Sequence, residues 1–394
     1  MPAISAGSDT DITADGRRIR VGLVGAGGIA VVAHLPTLKA LAHRVELVGL
    51  ADLDPTRVAQ TADEWDIPGR YGSVDELIEG ASPELIVVCT PPSAHRDAVL
   101  KGLRSGAWVW CEKPPVLSLA EYDEIVAAES AGGPYASFVV QHRFGSGAAT
   151  LKKQVAEGTL GRPLVALCNT LWFRPHSYYE VPWRGRWDTE GGGPAMGHGI
   201  HQMDLLFEIL GDWTEVTATA EALDREVETE DVSFAVVRFE NGAIASVVNS
   251  VLSPRETSYL RFDFQDATVE LEHLYGYDNS SWTWTPAPHA AGPDEVERQT
   301  IVDSWTPQEN VPSSHQQQLT ELLDAMATGE RPRASGDDGR RTLEFISALY
   351  QSAETGQRVR RSDLKNDGVY YTGMHDVNFI YGSARLAETS PSAA

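Results

Sequence analysis

Short apolar runs and longer three-to-four-residue periodic stretches take turns along the first third of the chain. Val21–Val24, Val45–Ala51, Leu85–Cys89, Ala107–Cys111 and Tyr135–Gln141 read as buried strands. Between them, a segment from Ala30 through Leu38, Thr56–Trp65, Val74–Ile78 and a segment starting at His95 carry helical spacing. Strand and helix alternating in this way predict an α/β, doubly wound parallel sheet. The alternation stops at Gln141. One helix, Ala148–Glu157, then precedes a series of long strand-like runs: Leu164–Phe173, Glu215–Ala222, Val232–Glu240, Ala243–Ser250, Tyr259–Phe264 and Ala267–Leu271. Asn241-Gly242 between two of these runs is a hairpin signal. A second, α+β domain with a large, mostly antiparallel open sheet follows from that pattern. Residues 276–304, rich in Pro, Asp and Trp, read as a loop excursion. His315–Ala327 and Arg340–Thr355 read as amphipathic helices stopped by Gly329 and Gly356. The resulting divisions are a disordered tail over 1–18, a Rossmann-type unit over 19–141, the α+β unit over 142–361, and an extension and tail over 362–394.

The first strand runs into Gly25, Gly27, Gly28, Ile29 and Ala30, a G-x-G-x-x-A pattern with an extra glycine. Strand, glycine turn and helix together predict a dinucleotide site. The first glycine makes the turn, and the second lets the backbone reach a pyrophosphate at the helix N-terminus. Asp52 closes the second strand, where a carboxylate binds the adenosine ribose hydroxyls and repels a 2′-phosphate. That favours NAD over NADP. Ligands of such sheets sit at the carboxyl ends of the strands. Thr90, Pro91 and Pro92 end the third strand, and Glu112 and Lys113, followed by two prolines, end the fourth. His95, at the next helix start, either contacts the cofactor or caps the helix. Lys113 lies beside the expected nicotinamide, where a buried amine polarises or deprotonates a hydroxyl. A surface lysine paired with Glu112 is the plainer alternative.

A second constellation is GGGPAMGHGIHQMDLL, Gly191–Leu206. A helix starting near Pro194 places His198, His201 and Asp204 along one side, with Leu205, Leu206 and Ile209 as the buried stripe. Two imidazoles beside a glycine loop suit proton transfer. Asp204 either orients His201 or caps a neighbouring segment. Trp183, Arg184, Arg186 and Trp187 precede the loop; tryptophan stacks on sugar faces and arginine donates to hydroxyls, unless they are simply core residues. His142, Arg143 and His315 are secondary candidates.

With 32 basic and 56 acidic residues the formal net charge is -24, which excludes nucleic acid and anionic membranes as partners. Cys89, Cys111 and Cys168 lie in apolar contexts and read as reduced core thiols, with no metal spacing. No apolar run is long enough to span a bilayer. Residues 1–18 lack the basic start and apolar run of a signal peptide, so a cytoplasmic location is expected.

VGLVGAGGIA, Asp52, CTPPSAHRDAVLKGLRSGAWVWCEKP, QHRF, WRGRW and the glycine-histidine segment together resemble the glucose-fructose oxidoreductase / inositol dehydrogenase / MocA (Gfo/Idh/MocA) family over about residues 20–360. The resemblance implies an NAD-dependent oxidoreductase acting on a sugar, polyol or sugar derivative, and a homodimer or homotetramer. It implies catalytic roles for Lys113 and His201. The family's acid four residues before that histidine falls at Gly197, leaving His198 as the candidate helper. Lys113, Arg143, Trp183, Arg184, His198 and His201 form the expected substrate-binding set. Two rival readings remain: a glycoside-cleaving enzyme that recycles NAD, and a nucleotide-binding sensor without turnover. The aromatic segment Tyr370–Tyr381 is expected to dock on its own chain or on a neighbour.

Overall fold

The computed structural model describes residues 17–381; most of the tail expected over 1–18, and the end of the extension and tail expected over 362–394, lie outside that range. β1 (Ile19–Val24), β2 (Val45–Ala51), β3 (Gly69–Tyr71), β4 (Leu85–Val88), β5 (Trp108–Cys111) and β6 (Ala136–Phe138) form one parallel sheet, in the order β3-β2-β1-β4-β5-β6. α1 (Leu35–Ala40), α2 (Pro55–Glu64), α3 (Val74–Ala81), α4 (His95–Arg104) and α5 (Leu119–Ala128) connect or flank the strands. The strand order reverses between β1 and β4, and the carboxyl ends there frame a crevice. Gly25 is required at that point. Its φ is +93°, and a Cβ would lie 2.7 Å from the Cys89 carbonyl oxygen. β3 escaped the sequence reading because three residues, one of them glycine, carry no periodicity. The fifth expected strand is shorter than its apolar run: only Ala136–Phe138 joins the ladder.

α6 (Ser146–Glu157) leads into the second sheet, built from β7 (Pro163–Phe173), β8 (Trp213–Glu221), β9 (Val232–Phe239), β10 (Ile244–Ser250), β11 (Leu252–Phe264), β12 (Ala267–His273), β13 (Trp282–Pro286) and β14 (Val359–Arg360). Its order is β13-β12-β11-β7-β10-β9-β8-β14, antiparallel except for the β7–β10 pair. The β9–β10 hairpin turns at Gly242, with φ +89°. Residues 276–304 are not a bare loop. Trp282 and Trp284 alternate inward on β13, and α8 (Glu295–Trp305) follows. Gly147 lets the Trp282 ring approach: a Cβ there would meet it at 2.2 Å.

α7 (Ile200–Leu210) is buried at every residue, which corrects the expected single stripe. It lies between the sheet, at β7 and β11, and helices α6 and α10 (Gly336–Thr355), so no face meets water. α9 (His315–Thr328) returns to the first sheet, where Leu319, Leu322 and Leu323 join the core of Leu23, Leu35, Leu38 and Trp110. α11 (Val369–Thr372) opens the aromatic strap, which docks on its own chain. The Tyr370 and Tyr381 hydroxyls donate to Glu354, and Trp187 stacks on His375 at 4.3 Å. The three cysteines are buried and unpaired. Among the described residues, no helix is long and apolar enough to cross a membrane.

Candidate active site

Lys113 leaves the end of β5 and reaches across to the glycine-histidine segment, where Nζ donates to the Gly197 carbonyl at 2.7 Å. Burial lowers its basicity; the Glu112 carboxylate opposes that, while Arg184 adds to it. The peptide bond from Lys113 to Pro114 is cis. Glu112 does not pair with the Lys113 ammonium. Its Oε1 accepts from His34 Nε2 at 2.8 Å, with His315 Nε2 at 3.5 Å, and its Oε2 accepts the Lys113 N–H. Burial would raise the Glu112 carboxyl, but the two imidazoles hold it well below the carboxylate range. His34, itself made less basic by burial, needs only a neutral Nε2–H to donate. His315 thus lies beside Glu112 and the His34 ring, and its Nε2 makes no hydrogen bond of its own.

Ala195–Gly199 forms a widened π-type turn before α7, a feature frequent at functional sites. The two imidazoles in and just after it take different ring neighbours. His198 meets the Trp172 ring edge-on at 5.2 Å, whereas His201 stacks on His142 at 5.1 Å. Nδ1 of His198, His201 and His142 has no protein partner. Burial first, then the Lys113 charge, holds His198 and His201 well below the ordinary histidine range, so both stay neutral and present their free ring nitrogens as hydrogen-bond acceptors rather than as strong bases.

Asp204 does not orient His201. Its carboxylate takes a two-pronged bond from Arg143, with Nε–Oδ2 2.5 Å and Nη2–Oδ1 2.6 Å. This also corrects the expectation that Arg143 contacts substrate. Arg143 is wholly buried and its remaining donor group binds Asp338 at 2.5 Å, with Glu208 at 3.3 Å. His95 is corrected too. Its ring is fully buried, with nitrogens 2.8 Å from the Pro114 carbonyl and 2.9 Å from that of Thr90, so it ties the two strand-end walls together without facing the crevice.

Arg184 lies flat over Tyr178, 3.8 Å from the ring centre, and over Trp183 at 4.2 Å. Arg186 points outward to Asp188 and Glu228, and Trp187 is covered by the strap. Sequence reasoning missed Glu190, Glu230, Arg174, Trp172 and Tyr178. The two acids are the informative omissions, because each is buried beside the glycine loop. Glu230 accepts the N–H groups of Gly193 (2.9 Å) and Ala195 (3.0 Å) and the Tyr350 hydroxyl (2.9 Å). Burial pushes it up to about 7 against those bonds. A Cβ at Gly193 would lie 1.9 Å from the Glu230 backbone oxygen. Gly193→Ala is therefore expected to cost about 1–3 kcal/mol, measured as a lower denaturation midpoint, and to displace the turn that carries His198.

The cofactor half is open where a diphosphate needs room: a Cβ at Gly27 or Gly28 would meet no atom within 4 Å. Asp52 is tied to this loop, with Oδ2 accepting from Ala26 N–H at 2.8 Å and Oδ1 from Asp54 N–H at 2.9 Å. Each oxygen keeps a lone pair for a ribose hydroxyl. Residues 19–137 match the model of the "oxidoreductase family, NAD-binding Rossmann fold", and residues 148–292 that of the "GFO/IDH/MocA C-terminal domain". The chain belongs to the Gfo/Idh/MocA family of oxidoreductases. Relatives in this family include D-glucoside 3-dehydrogenase of Escherichia coli, 24% identical, covering 86% of this chain and 97% of its own. Myo-inositol 2-dehydrogenase of Thermotoga maritima is 25% identical, covering 88% and 99%. The WlbA dehydrogenase of Chromobacterium violaceum, solved with NADH and UDP-GlcNAcA, superposes with a TM-score of 0.75 at 26% identity, over 89% of this chain and 97% of its own.

Proposed function

We propose that this protein is an NAD-dependent dehydrogenase of a sugar, polyol or sugar derivative, with Lys113 and His201 handling the hydroxyl proton and His198 assisting. The observation that carries this reading is the convergence of a desolvated Lys113 amine and two neutral, unpartnered imidazoles at the carboxyl end of β5, beside the open glycine turn. The bound nicotinamide supplies the hydride acceptor. Lys113 holds the substrate hydroxyl and takes its proton as the neutral amine. His201, kept neutral by burial, accepts a hydrogen bond from the substrate hydroxyl and so orients it towards Lys113. Trp183 and Arg184 line the approach, where the indole faces sugar C–H groups and the guanidinium donates to oxygen. The carbohydrate class is supported by the sugar and polyol dehydrogenases among the relatives.

The test is turnover with NAD and a panel of monosaccharides, polyols and glycosides, followed by absorbance and mass spectrometry. Stoichiometric NADH and a product two hydrogens lighter are expected. Glycoside cleavage without net NADH, or NAD binding with no turnover across the panel, overturns the reading. The preference for NAD rests on Asp52. Asp52→Ala is expected to weaken NAD binding and shift the NAD-to-NADP preference by about tenfold or more towards NADP, read from the two Kd values.

A further inference from the structure

The family's acid position is filled by Gly197 in this chain, yet the space beside it holds a carboxylate. A Cβ built on Gly197 would meet one atom within 4 Å, Glu190 Oε1 at 3.7 Å. Glu190 comes from the loop before the three glycines and is 6% exposed. Its Oε2 accepts the Gly185 N–H at 2.6 Å, and Oε1 faces Arg184 Nη1 at 3.3 Å. Lys113 approaches the same residue from the other side, on the Gly197 carbonyl. We propose that Glu190 supplies from the loop the carboxylate that the helix lacks at Gly197, as a positioning residue that holds Arg184 and balances the charge of Lys113. This inference rests on the role given to Lys113 in the proposed function.

The physical argument is electrostatic. The charge on Lys113 is coupled through space to Glu112, Arg184, Arg174, His198 and His201 besides Glu190. Glu112 is already engaged by His34, and the two arginines disfavour an ammonium. A second carboxylate offsets them at the moment the amine gains a proton. The side chain at 197 would have to share that space, and glycine leaves it to Glu190. A carboxylate of either origin then serves, provided only one is present, because two crowded carboxylates raise each other's proton affinity.

The test moves the carboxylate back to the helix. Glu190→Gln, Glu190→Gly, Gly197→Asp and the double variant Glu190→Gly/Gly197→Asp are compared with the intact chain. One readout needs no substrate: the pH dependence of Lys113 modification by an amine-acylating reagent, followed by peptide mass spectrometry. Glu190→Gln is expected to move the Lys113 limb to lower pH, and the double variant to return it. On the turnover panel, at a pH above the Lys113 limb where the amine is neutral in every variant, Glu190→Gln and Gly197→Asp are each expected to lose about tenfold or more in kcat with NAD affinity unchanged. The double variant is expected to recover most of that loss relative to Glu190→Gly. An unmoved Lys113 limb in Glu190→Gln, or a double variant whose limb matches Glu190→Gly, overturns the proposal even if every variant folds. Failure of the intact protein to oxidise any carbohydrate overturns the functional reading instead and leaves the labelling result to decide the role of Glu190.

Discussion

Lys113→Ala removes turnover by about 10²–10⁴-fold while NAD still binds with nearly unchanged affinity. The expectation follows from position. Lys113 ends β5 at the crevice, and its amine donates to the Gly197 carbonyl, not to the glycine turn. Truncation therefore removes the proton acceptor and the link to the π-type turn, and leaves Gly25, Gly27, Gly28 and Asp52 untouched. Lys113→Arg should fail almost as badly, because a guanidinium does not give up its proton. The pH profile has a defined sign. The neutral amine is the active form, so kcat rises with pH through the Lys113 pKa. Burial sets that rise below the ordinary lysine value. Calorimetric NAD binding and steady-state turnover on the same preparation check both halves. An Ala variant with full activity removes Lys113 from the mechanism.

Asp204→Ala is expected to destabilise the protein by about 3–5 kcal/mol, because it leaves the buried Arg143 guanidinium without its two-pronged partner. Asp338 and Glu208 still face Arg143, so part of the charge stays compensated. Thr342 loses its acceptor as well, since its hydroxyl donates to Asp204 at 3.2 Å. Replacing both members, Arg143→Met with Asp204→Ala, should cost less than the two single changes added together, because no charge is then stranded. Denaturant midpoints of the four proteins give the coupling. If Asp204→Ala instead keeps full stability and loses only kcat, Asp204 acts on His201 after all.

The alternating first unit was readable because fully buried parallel strands are continuous apolar runs and their punctuation is glycine and proline. Val45–Ala51 is assigned identically by sequence and structure. Lys113 and His201 stood out as candidates because each lies in a motif of its own, at a strand end and beside a glycine loop. What escaped depended on tertiary partners. Arg143 and Asp204 are 61 residues apart, and nothing near either one announces the other. Asp204 sits one turn below His201, so helical spacing left it either on His201 or capping a neighbouring segment and gave no sign of Arg143. The π-type turn at Ala195–Gly199 cannot be told from an ordinary helix start by periodicity. Glu190 was passed over because an acid before three glycines looks like loop polarity; only the closeness of its carboxylate to Gly197 gives it meaning. On β13 the signal was present: Trp282 and Trp284 alternate with threonines, a strand pattern hidden by the prolines, glycine and acids around it.

Net transfer of hydride from a carbohydrate carbon to the nicotinamide is what separates a dehydrogenase from a glycoside-cleaving enzyme or a sensor. The most direct measurement takes a substrate from the turnover panel, deuterated at its carbon-bound positions, and weighs the released nicotinamide. The account predicts one deuterium in each molecule of reduced cofactor and a product two hydrogen equivalents lighter. Cleaved glycoside carrying its deuterium back on the sugar, with no labelled reduced cofactor released, would contradict it.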